Sequence, residues 1–408
     1  MADKADRRHS GSKRQKEENP TYPVTVSRLL VPYTLAAFLG FLAIGIPLPV
    51  LSLFAHDRLG YAPLMIGIIV GTQSLATLLS RQLAGRMCDT RGPKPTTLIG
   101  LAFSSLSGIC YVTANAVTTP QPALVVLLAG RLLLGIGESM FITGLAAWSV
   151  ARVGTAHAGR AMAWSGIAMY AALAFGAPVG IGIYRVGGFA AVACCAIATP
   201  ILGAGLAILL RPVAVQSQPA TSYLKVLKRI WAPGLGMALA SLGIGTISAF
   251  LTLHFATMHW AGAGQALMAF GLAYILMRLL FGGLPDQIGG FAAALASLAI
   301  EATGLMIIWG APSPTTALLG ATLTGLGYSL VFPSLGVEAL KRAASQSRGV
   351  VLGAYLACFD LGIALAGVVA GSVAQLFGIP AVFPAAGVAA IVALVVTMLT
   401  RYEPSFDR

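Results

Sequence analysis

Four ionisable side chains lie deep inside long apolar stretches of the sequence: Arg131, Glu138, Glu301 and Asp360. A charged side chain at the centre of a membrane costs about 2.5–3.5 kcal/mol on insertion scales, so such residues usually face a cavity or a partner. Arg131 and Glu138 share one face of a helix, with Cα atoms about 10 Å apart along its axis. A water molecule or a substrate group could bridge that gap. We therefore treat these four residues as candidates for proton coupling or for lining a substrate cavity.

Glu138 and Asp360 each lie near the middle of an apolar stretch. Burial away from water disfavours an ionised carboxylate, so a carboxyl group at this depth can take up and release a proton during function. Arg131 would favour the ionised form of Glu138 whenever the two lie close. A structural ion pair is the alternative explanation for Arg131, and polar packing is the alternative for the two acids.

Residue types that build metal or enzyme sites show no suitable spacing. The 5 cysteines lack metal-ligand spacing, and a free cysteine in an apolar run behaves as a small hydrophobic residue. The sequence contains no His, Asp and Glu cluster suited to a metal, no nucleophile paired with a base and no Gly-Lys-Ser/Thr phosphate loop. It therefore predicts no metal, no cofactor and no enzyme activity, and ATP is not the expected energy source.

A short charged segment occurs twice in the chain. It runs over residues 81–94 and returns over residues 278–290, with four residues matched at one constant spacing. The matched pairs are Arg81 and Arg278, Gly85 and Gly282, Asp89 and Asp286, and Gly92 and Gly289. Four matches in one register indicate that the chain consists of two related halves.

The composition is that of a membrane protein. Of the 408 residues, 57% are hydrophobic and only 10% are charged, whereas soluble proteins carry about 25% charged residues. Apolar runs of about 20 residues recur along the chain, each long enough to cross a membrane as a helix. The sequence predicts an all-α membrane protein with twelve transmembrane helices in two pseudo-symmetric six-helix halves. The predicted spans are residues 29–55, 63–85, 96–117, 122–150, 161–184, 188–210, 232–258, 264–284, 291–310, 316–340, 349–376 and 380–400.

The basic residues predict the orientation of these spans. Loops rich in lysine and arginine stay in the cytoplasm, and only Arg58 and Arg185 fall in outer loops when the N-terminus is inside. Both termini are then cytoplasmic, and these loops account for the net charge of +13 without nucleic-acid binding. The predicted divisions are a disordered cytoplasmic tail at 1–27, an N-terminal half at 28–210, a cytoplasmic linker at 211–230, a C-terminal half at 231–400 and a cytoplasmic tail at 401–408.

The motifs and the twelve spans together resemble the major facilitator superfamily. The segment after the second span is similar to the family's signature loop, Gly-x-Leu-x-Asp-Arg-x-Gly-Arg-Lys, with Gly85, Asp89, Gly92 and Lys94 at matching positions. Residues 131–137 resemble the family's Arg-x-x-Gln-Gly-x-Gly motif of helix 4, with Leu in place of Gln. Helix 9 is usually peripheral in this fold, so the resemblance implies a smaller transport role for Glu301.

The resemblance implies a conformational gate in the repeated segment. In this fold helices 2 and 11 are neighbours, so Asp89 would meet the start of helix 11, where the helix dipole favours a carboxylate by about 0.3–2 kcal/mol. By symmetry, Asp286 would meet the start of helix 5. Both contacts would form only when the cytoplasmic side is closed, and a solvated aspartate that merely sets topology is the alternative. The candidate gate residues are Gly85, Arg86, Asp89, Gly92, Lys94 and Asp286.

The fifth span carries a helix-packing motif. Gly176, Pro178 and Gly180 resemble the glycine-proline motif of proton-coupled antiporters, although Ala177 separates the first glycine from the proline. Small residues recur at every fourth position along this span and along the eleventh, which lets helices approach closely. We expect these faces to lie where the two halves move against each other. Residues 130–139 and 358–362 also resemble a bacterial subgroup of drug or arabinose-type sugar efflux permeases.

The residues and the resemblance favour a secondary transporter of the bacterial inner membrane that works by alternating access. We expect it to export a small organic compound, drug-like or sugar-like, in exchange for protons. We also expect a monomer in the lipid bilayer. A proton-coupled importer of a sugar or an organic acid is the first alternative. A membrane receptor or scaffold without transport is the alternative from another class, and the short loops disfavour it.

Overall fold

The computed structural model describes residues 23–154, 157–213, 223–343 and 348–400. Most of these residues are helical, because a backbone in hydrocarbon must satisfy its own hydrogen bonds. The first part of the chain contains α1 (Pro23–Gly45), α2 (Leu48–Leu53), a π-helical segment (Phe54–Arg58), α3 (Pro63–Arg91), α4 (Pro93–Ala116), α5 (Pro120–Val153) and α6 (Ala158–Leu209). The second part contains α7 (Tyr223–Arg229), α8 (Trp231–Thr257), α9 (Ala263–Phe281), α10 (Leu284–Ile288), α11 (Gly290–Trp309), α12 (Pro314–Arg342), α13 (Arg348–Phe377), a 3-10 segment (Ile379–Ala381) and α14 (Val382–Leu399).

Helix α6 consists of two arms joined at Gly188. A straight helix of its 52 residues would be about 78 Å long, more than twice the thickness of the hydrocarbon core. Gly188 has φ 64° and ψ −169°, a conformation that glycine adopts without a steric penalty, and the helix breaks there. At the other end of the arms, Trp148 near the end of α5 donates to the carbonyl of Arg211 just after α6. The two ends of α6 therefore lie on the same side of the bundle.

The number of spanning helices matches the predicted fold. Within the described residues, 11 helical stretches are long and apolar enough to cross a membrane. One of them, residues 160–209, is the broken helix α6 and supplies two crossings. The predicted all-α fold of twelve transmembrane helices is confirmed.

Two helix pairs join the N-terminal helices α1–α6 to the C-terminal helices α8–α14. In the first pair, a Cβ atom on Gly67 of α3 would collide with the backbone of Gly367 of α13. In the second pair, a Cβ atom on Gly264 of α9 would meet the backbone of Pro178 of α6. Gly67 and Gly264 occupy the same position in the two copies of the sequence repeat. The two interfaces are thus related by the pseudo-symmetry that the repeat predicts.

The two ends of the helix bundle differ in charge. We call the end with the α3–α4 turn, the α5–α6 turn and the end of α12 the basic face, and the other end the opposite face. The basic face carries Arg86, Arg91, Lys94, Arg152, Arg160, Lys341 and Arg342. The opposite face carries Asp57, Arg58 and Arg185, and Arg58 is bound there to the side chain and the carbonyl of Asn115 at the end of α4.

The first copy of the repeated segment is helical rather than a turn along most of its length. Gly85 and Asp89 belong to the last turns of α3, and the chain changes direction at Gly92, whose φ is 93°. Gly289, the counterpart of Gly92, has φ 88°. Gly85, which the resemblance places in the signature loop, therefore lies within a helix, because a helix with charged last turns can continue into water.

Two predicted boundaries move in the structure. The first helix begins at Pro23, inside the predicted tail, and proline is well tolerated in the first turn of a helix. The predicted linker contains the short helix α7, and α8 follows it after one residue. Residues 1–22, 214–222 and 401–408 of the predicted tails and linker lie outside the described residues.

Candidate functional site

A stripe of polar side chains along α3 faces α5. Gln73, Thr77 and Arg81 are spaced by four residues, so they lie on one side of the helix. Glu138, near the middle of α5, accepts hydrogen bonds from Gln73 Nε2 at 2.8 Å and from Thr77 Oγ1 at 3.0 Å. These two donors hold the Glu138 carboxylate between α3 and α5, inside the bundle.

Arg81 extends this stripe and connects the two halves. Its guanidinium donates to Asp360 Oδ2 of α13, through Nε at 2.8 Å and also through Nη2. The side chain of Arg81 is 18% exposed and that of Asp360 is 6% exposed, so little water screens the pair. Glu138 also lies within electrostatic range of Arg81. We call Gln73, Thr77, Arg81, Glu138 and Asp360 the polar cluster.

Arg131 lies beside the polar cluster, but its hydrogen bonds are to backbone carbonyls rather than to acidic side chains. The residue is 2% exposed, and its guanidinium donates to the carbonyl of Ile69 at 3.1 Å and to that of Val70 at 2.8 Å. These bonds fasten α5 to α3 one to two turns from Glu138. Arg131 lies within electrostatic range of the Glu138 carboxylate but makes its hydrogen bonds to these two carbonyls, so its direct contacts are those of a structural residue.

Glu301 is separate from the other candidates. It lies on α11, is 0% exposed, and neither carboxyl oxygen has a hydrogen-bond partner within the described part of the chain. A Cβ atom on Gly243 of α8 would collide with Glu301 Oε1, and one on Gly327 of α12 would meet the Glu301 backbone. The side chain is therefore enclosed between three helices of the C-terminal half, without a connection to the polar cluster.

The candidate gate residues of the first repeat copy lie on the basic face. Asp89 and Arg86 are exposed on the basic face, and a Cβ atom added to Gly85 would have no neighbour within 4 Å. Lys94 donates to the carbonyls of Ile208 at 2.6 Å and Leu210 at 2.7 Å, where a cation stabilises the end of a helix. Its contacts thus fasten α4 to the end of α6 in the same half. The side chain of Asp286 lies outside the described residues.

The small-residue face of α6 packs within its own half. Cβ atoms on Gly176 and Gly180 would collide with the backbone of Gly45 and Ile46, at the junction between α1 and α2. The expectation that this face lies between the moving halves is wrong for these two glycines. Pro178 does lie between the halves, because it points to the other side of the helix and meets α9.

Among the described residues, the tightest backbone approaches between the halves lie toward the opposite face. Along α3 they are followed by the Arg81–Asp360 pair, and Gly85, one turn further, has open space in front of it. Along α6 they are followed by Tyr170, which stacks on Tyr274 of α9 with ring centroids 3.4 Å apart, and Gly166 one turn further also faces open space. The described residues thus leave a gap in front of Gly85 and Gly166, on the basic-face side of these two pairs.

Cavities toward the opposite face are small or shallow. A crevice of about 320 Å³ lies at the surface, between Pro178 and Arg185 of α6 and Trp260 beside α9. The next cavity inward, lined by Leu173, Phe270 and neighbouring residues, measures about 20 Å³, which is room for about one water molecule.

Two functional candidates were missed by the sequence argument. Arg81 was recognised as part of the repeat but not as the partner of Asp360, and no local signal joins residues 279 positions apart. Arg278, its repeat counterpart, donates to the hydroxyl of Tyr274 at 2.6 Å. Both halves carry an arginine at this position of the repeat, inside an apolar span. That shared arginine is the sequence signal that could have identified Arg81 and Arg278.

Comparison with known proteins agrees with the fold and the motifs. The family model described as Major Facilitator Superfamily matches residues 33–264 and 234–408. An uncharacterized MFS-type transporter of Burkholderia pseudomallei is 46% identical over 354 residues, which cover 86% of this chain and 87% of the relative. An uncharacterized MFS-type transporter of Salmonella typhimurium is 40% identical over 368 residues, which cover 90% of this chain and 95% of the relative.

Solved structures with low sequence identity share the fold. The nucleoside transporter NupG superimposes with a TM-score of 0.72 at 17% identity, covering 92% of this chain and 100% of that one. The human organic anion transporter MFSD10 superimposes with a TM-score of 0.69 at 18% identity, covering 91% of this chain and 99% of that one. At these identities the similarity supports the architecture.

Proposed function

The chain belongs to the Major Facilitator Superfamily and is a multi-pass membrane transporter rather than an enzyme, and from this premise we propose that it exports a small organic compound in exchange for protons. Its curated relatives are bacterial, which supports a place in the bacterial inner membrane. The excess of lysine and arginine at the basic face supports a cytoplasmic position for that face and for both termini.

The observation that carries this proposal is the Arg81–Asp360 pair across the two halves. Alternating access requires contacts that hold the halves together in one state and release them in another. Protonation of Asp360 removes the negative charge that attracts Arg81, so the bridge weakens when a proton binds. Arg81 then has Glu138 as a second acidic neighbour on its own side of the interface.

Glu138 is the proposed site at which the proton and the substrate are coupled. Gln73 and Thr77 hold its carboxylate by two hydrogen bonds, and Arg81 stabilises its charge while Arg81 is near. A movement of Arg81 between Asp360 and Glu138 would change which carboxyl is charged. The protonation of the polar cluster would thereby follow the conformation of the protein.

The energy available from protons is sufficient for export. One proton moving down a potential of about 100 mV releases about 2.3 kcal/mol, which supports a gradient of roughly fifty-fold for a neutral solute. In the proposed cycle the present conformation, open toward the basic face, accepts substrate from the cytoplasm. A proton-coupled importer would use the same cluster with the opposite net direction of solute.

The proposal is tested with purified protein in liposomes that contain a pH-sensitive dye. An imposed pH gradient, screened over a panel of small organic compounds, should drive uphill solute movement with proton movement in a fixed ratio. Liposomes without protein and liposomes with the Glu138→Gln variant serve as controls. Solute movement that ignores the pH gradient would overturn proton coupling, and movement in the same direction as protons would favour the importer.

A further inference from the structure

Arg278 differs from its repeat counterpart in one chemical respect. Arg81 is neutralised by Asp360, whereas no acidic side chain among the described residues pairs with Arg278. Its only polar partner in that part of the chain is the hydroxyl of Tyr274, one turn away on α9. A cation without a counter-ion inside an apolar bundle is energetically costly, so a bound anion would stabilise Arg278.

Aromatic side chains surround Arg278. Its guanidinium lies 5.4 Å from the centroid of the Tyr274 ring, which is a favourable distance for a cation against an aromatic face. Tyr274 stacks on Tyr170 of α6 and lies 6.2 Å from Tyr328 of α12. The uncompensated cation is thus bordered by phenol rings from both halves of the protein.

A line of rings continues from Tyr328 toward the polar cluster. Tyr355 of α13 lies within electrostatic range of Tyr328, and its ring centroid is 5.1 Å from that of Phe332 on α12. Phe332 in turn lies 6.4 Å from Phe359, the residue before Asp360. The C-terminal half therefore contains an aromatic wall between Arg278 and Asp360, in which Phe332 and Phe359 are partly exposed and the rings of Tyr274, Tyr328 and Tyr355 are buried behind them.

Arg278 lies where the two halves begin to separate. Tyr170 of α6 stacks on Tyr274 of α9, and Arg278 is one turn beyond Tyr274 toward the basic face. Gly166, at the corresponding level of α6, has open space in front of it. Arg278 is only partly buried, so a solute in this space can contact its guanidinium.

We propose that the substrate is an organic anion with a flat ring, an aromatic monocarboxylate, whose carboxylate binds Arg278 and whose ring packs against the aromatic wall. This inference rests on the proposed transport function and adds the class of substrate. The guanidinium offers a carboxylate two parallel N–H donors, which a lysine cannot do. The ring then lies between Arg278 and the proton-binding carboxyl groups, so substrate occupancy and proton occupancy affect each other.

The test measures binding directly, with benzoate as the smallest probe of this class. Purified protein is heated at constant ionic strength with increasing sodium benzoate, and the melting temperature is recorded. Benzoate should stabilise the wild-type protein in a saturable manner, while benzamide, its neutral analogue, and sodium chloride should not. Arg278→Gln should weaken the apparent affinity by about tenfold or more, because hydrogen bonds to a charged group are lost. Arg278→Lys should fall between the two.

A matched control is Arg152→Gln, which removes an exposed arginine of the basic face at the end of α5. This variant should keep the benzoate response of the wild type. Equal benzoate affinity in the wild type and in Arg278→Gln would overturn the assignment of Arg278. Absence of a saturable benzoate response in the wild type would overturn the substrate class.

Transport assays separate this inference from the proposed function. Arg278-dependent benzoate binding without any proton-driven solute movement would leave the anion site standing and refute proton-coupled transport. Proton-driven movement of a neutral solute that is unchanged in Arg278→Gln would support proton-coupled transport and refute the anion site. The two proposals therefore fail in different experiments.

Discussion

Arg81 has an acidic neighbour on each side of the interface between the halves. It is bonded to Asp360 of α13, and Glu138 of α5 lies within electrostatic range. The guanidinium of arginine keeps its positive charge at any physiological pH, whereas a carboxylate loses its negative charge when it takes up a proton. In the proposed mechanism the proton therefore binds at one of the two acids, and Arg81 supplies a permanent positive charge that can pair with either of them.

The first prediction concerns Glu138. Glu138→Gln keeps the size of the side chain and a hydrogen-bonding oxygen for Gln73 and Thr77, but it cannot release a proton. We expect the rate of uphill transport on a pH gradient to fall by more than tenfold in this variant, while solute exchange without a gradient persists. Glu338→Gln, which removes an acid paired with Lys341 near the basic face, is the control and should transport normally. Normal uphill transport by Glu138→Gln would exclude Glu138 as the coupling site.

The second prediction concerns the bridge. Removal of one partner of a buried ion pair leaves the other charge without compensation, which costs about 3–5 kcal/mol in typical cases. We expect Asp360→Asn to lower stability by about 3 kcal/mol, because Arg81 stays charged. Arg81→Gln should cost less, because Asp360 can then take up a proton.

The corresponding measurement is a double-mutant cycle on thermal unfolding in detergent. Arg81→Gln combined with Asp360→Asn should be more stable than Asp360→Asn alone, since neither buried charge remains. Additive effects of the two substitutions would show that the pair contributes no coupling energy. Asp360→Asn is also expected to reduce proton-coupled uphill transport, which the transport assay measures, because the bridge can no longer be released by protonation.

Helix α3 packs against α5 on one side and against α13 on the other. Gln73 and Thr77 bind Glu138 of α5, whereas Arg81 binds Asp360 of α13. Gly67 and Gly71 bring the backbone of α3 against α13 toward the opposite face. Because Arg81 and these glycines belong to one helix, a movement that opens the glycine contact should also move Arg81 relative to Asp360. In the proposed mechanism, this link makes the protonation of the cluster depend on the conformation.

The third prediction concerns this glycine contact. A Cβ atom on Gly67 would collide with the backbone of Gly367, which cannot move aside as a flexible side chain can. We expect Gly67→Ala to disfavour closure of the opposite face. Spin labels at the exposed positions 62 and 376, near the ends of α3 and α13 on that face, should then be further apart.

Gly85→Ala is the matched control, because its added Cβ atom meets open space in this conformation. It should leave the distance between the two labels unchanged. If Gly67→Ala folds and also leaves that distance unchanged, the glycine contact does not determine closure of the opposite face.

The fourth prediction concerns Asp89. This residue is exposed here, so Asp89→Asn should change the stability of the present conformation by less than about 0.5 kcal/mol. If Asp89 docks on the start of α13 when the basic face closes, the variant should populate the closed form less. Spin labels on the basic-face ends of α3 and α13 would report this as a longer average distance. Transport at the wild-type rate with an unaltered distance distribution would leave Asp89 as a topology residue.

The molecule consists of two pseudo-symmetric bundles that meet along the α3–α13 and α6–α9 pairs and where α2 packs on α8. The two pairs are tight toward the opposite face, and open space lies in front of Gly85 beyond Arg81 and of Gly166 beyond Tyr170. Rocking about these contacts would close one side as it opens the other. The two pairs are related by symmetry in their backbone but differ in chemistry, since one carries an ion pair and the other stacked phenol rings.

The fifth prediction concerns the orientation of the molecule in the membrane. If the basic face is cytoplasmic, an impermeant thiol reagent added to intact cells should label Gln121→Cys at the start of α5 and should not label Arg211→Cys after α6. Both positions are exposed, and the 5 native cysteines are replaced in the parent protein. Labelling of Arg211→Cys from outside, with Gln121→Cys protected, would reverse the orientation.

The sequence alone determined the fold class and showed which ionisable residues lie inside apolar runs. Apolar runs of spanning length require helices, because hydrocarbon offers no partners to backbone polar groups, and the repeated segment requires two related halves. Charge inside such runs is expensive, so Glu138 and Asp360 were identifiable from their positions.

Only the tertiary structure decided which of these groups meet. Local pattern could not show that Asp360 pairs with Arg81 rather than with a residue of its own half, nor that backbone carbonyls take up Arg131. It also could not show which side of a small-residue helix faces the other half, since Gly176 and Pro178 are two residues apart but point to different neighbours. The physical reason is that periodicity fixes which side chains share a helix face, whereas the packing of all helices together fixes what that face meets.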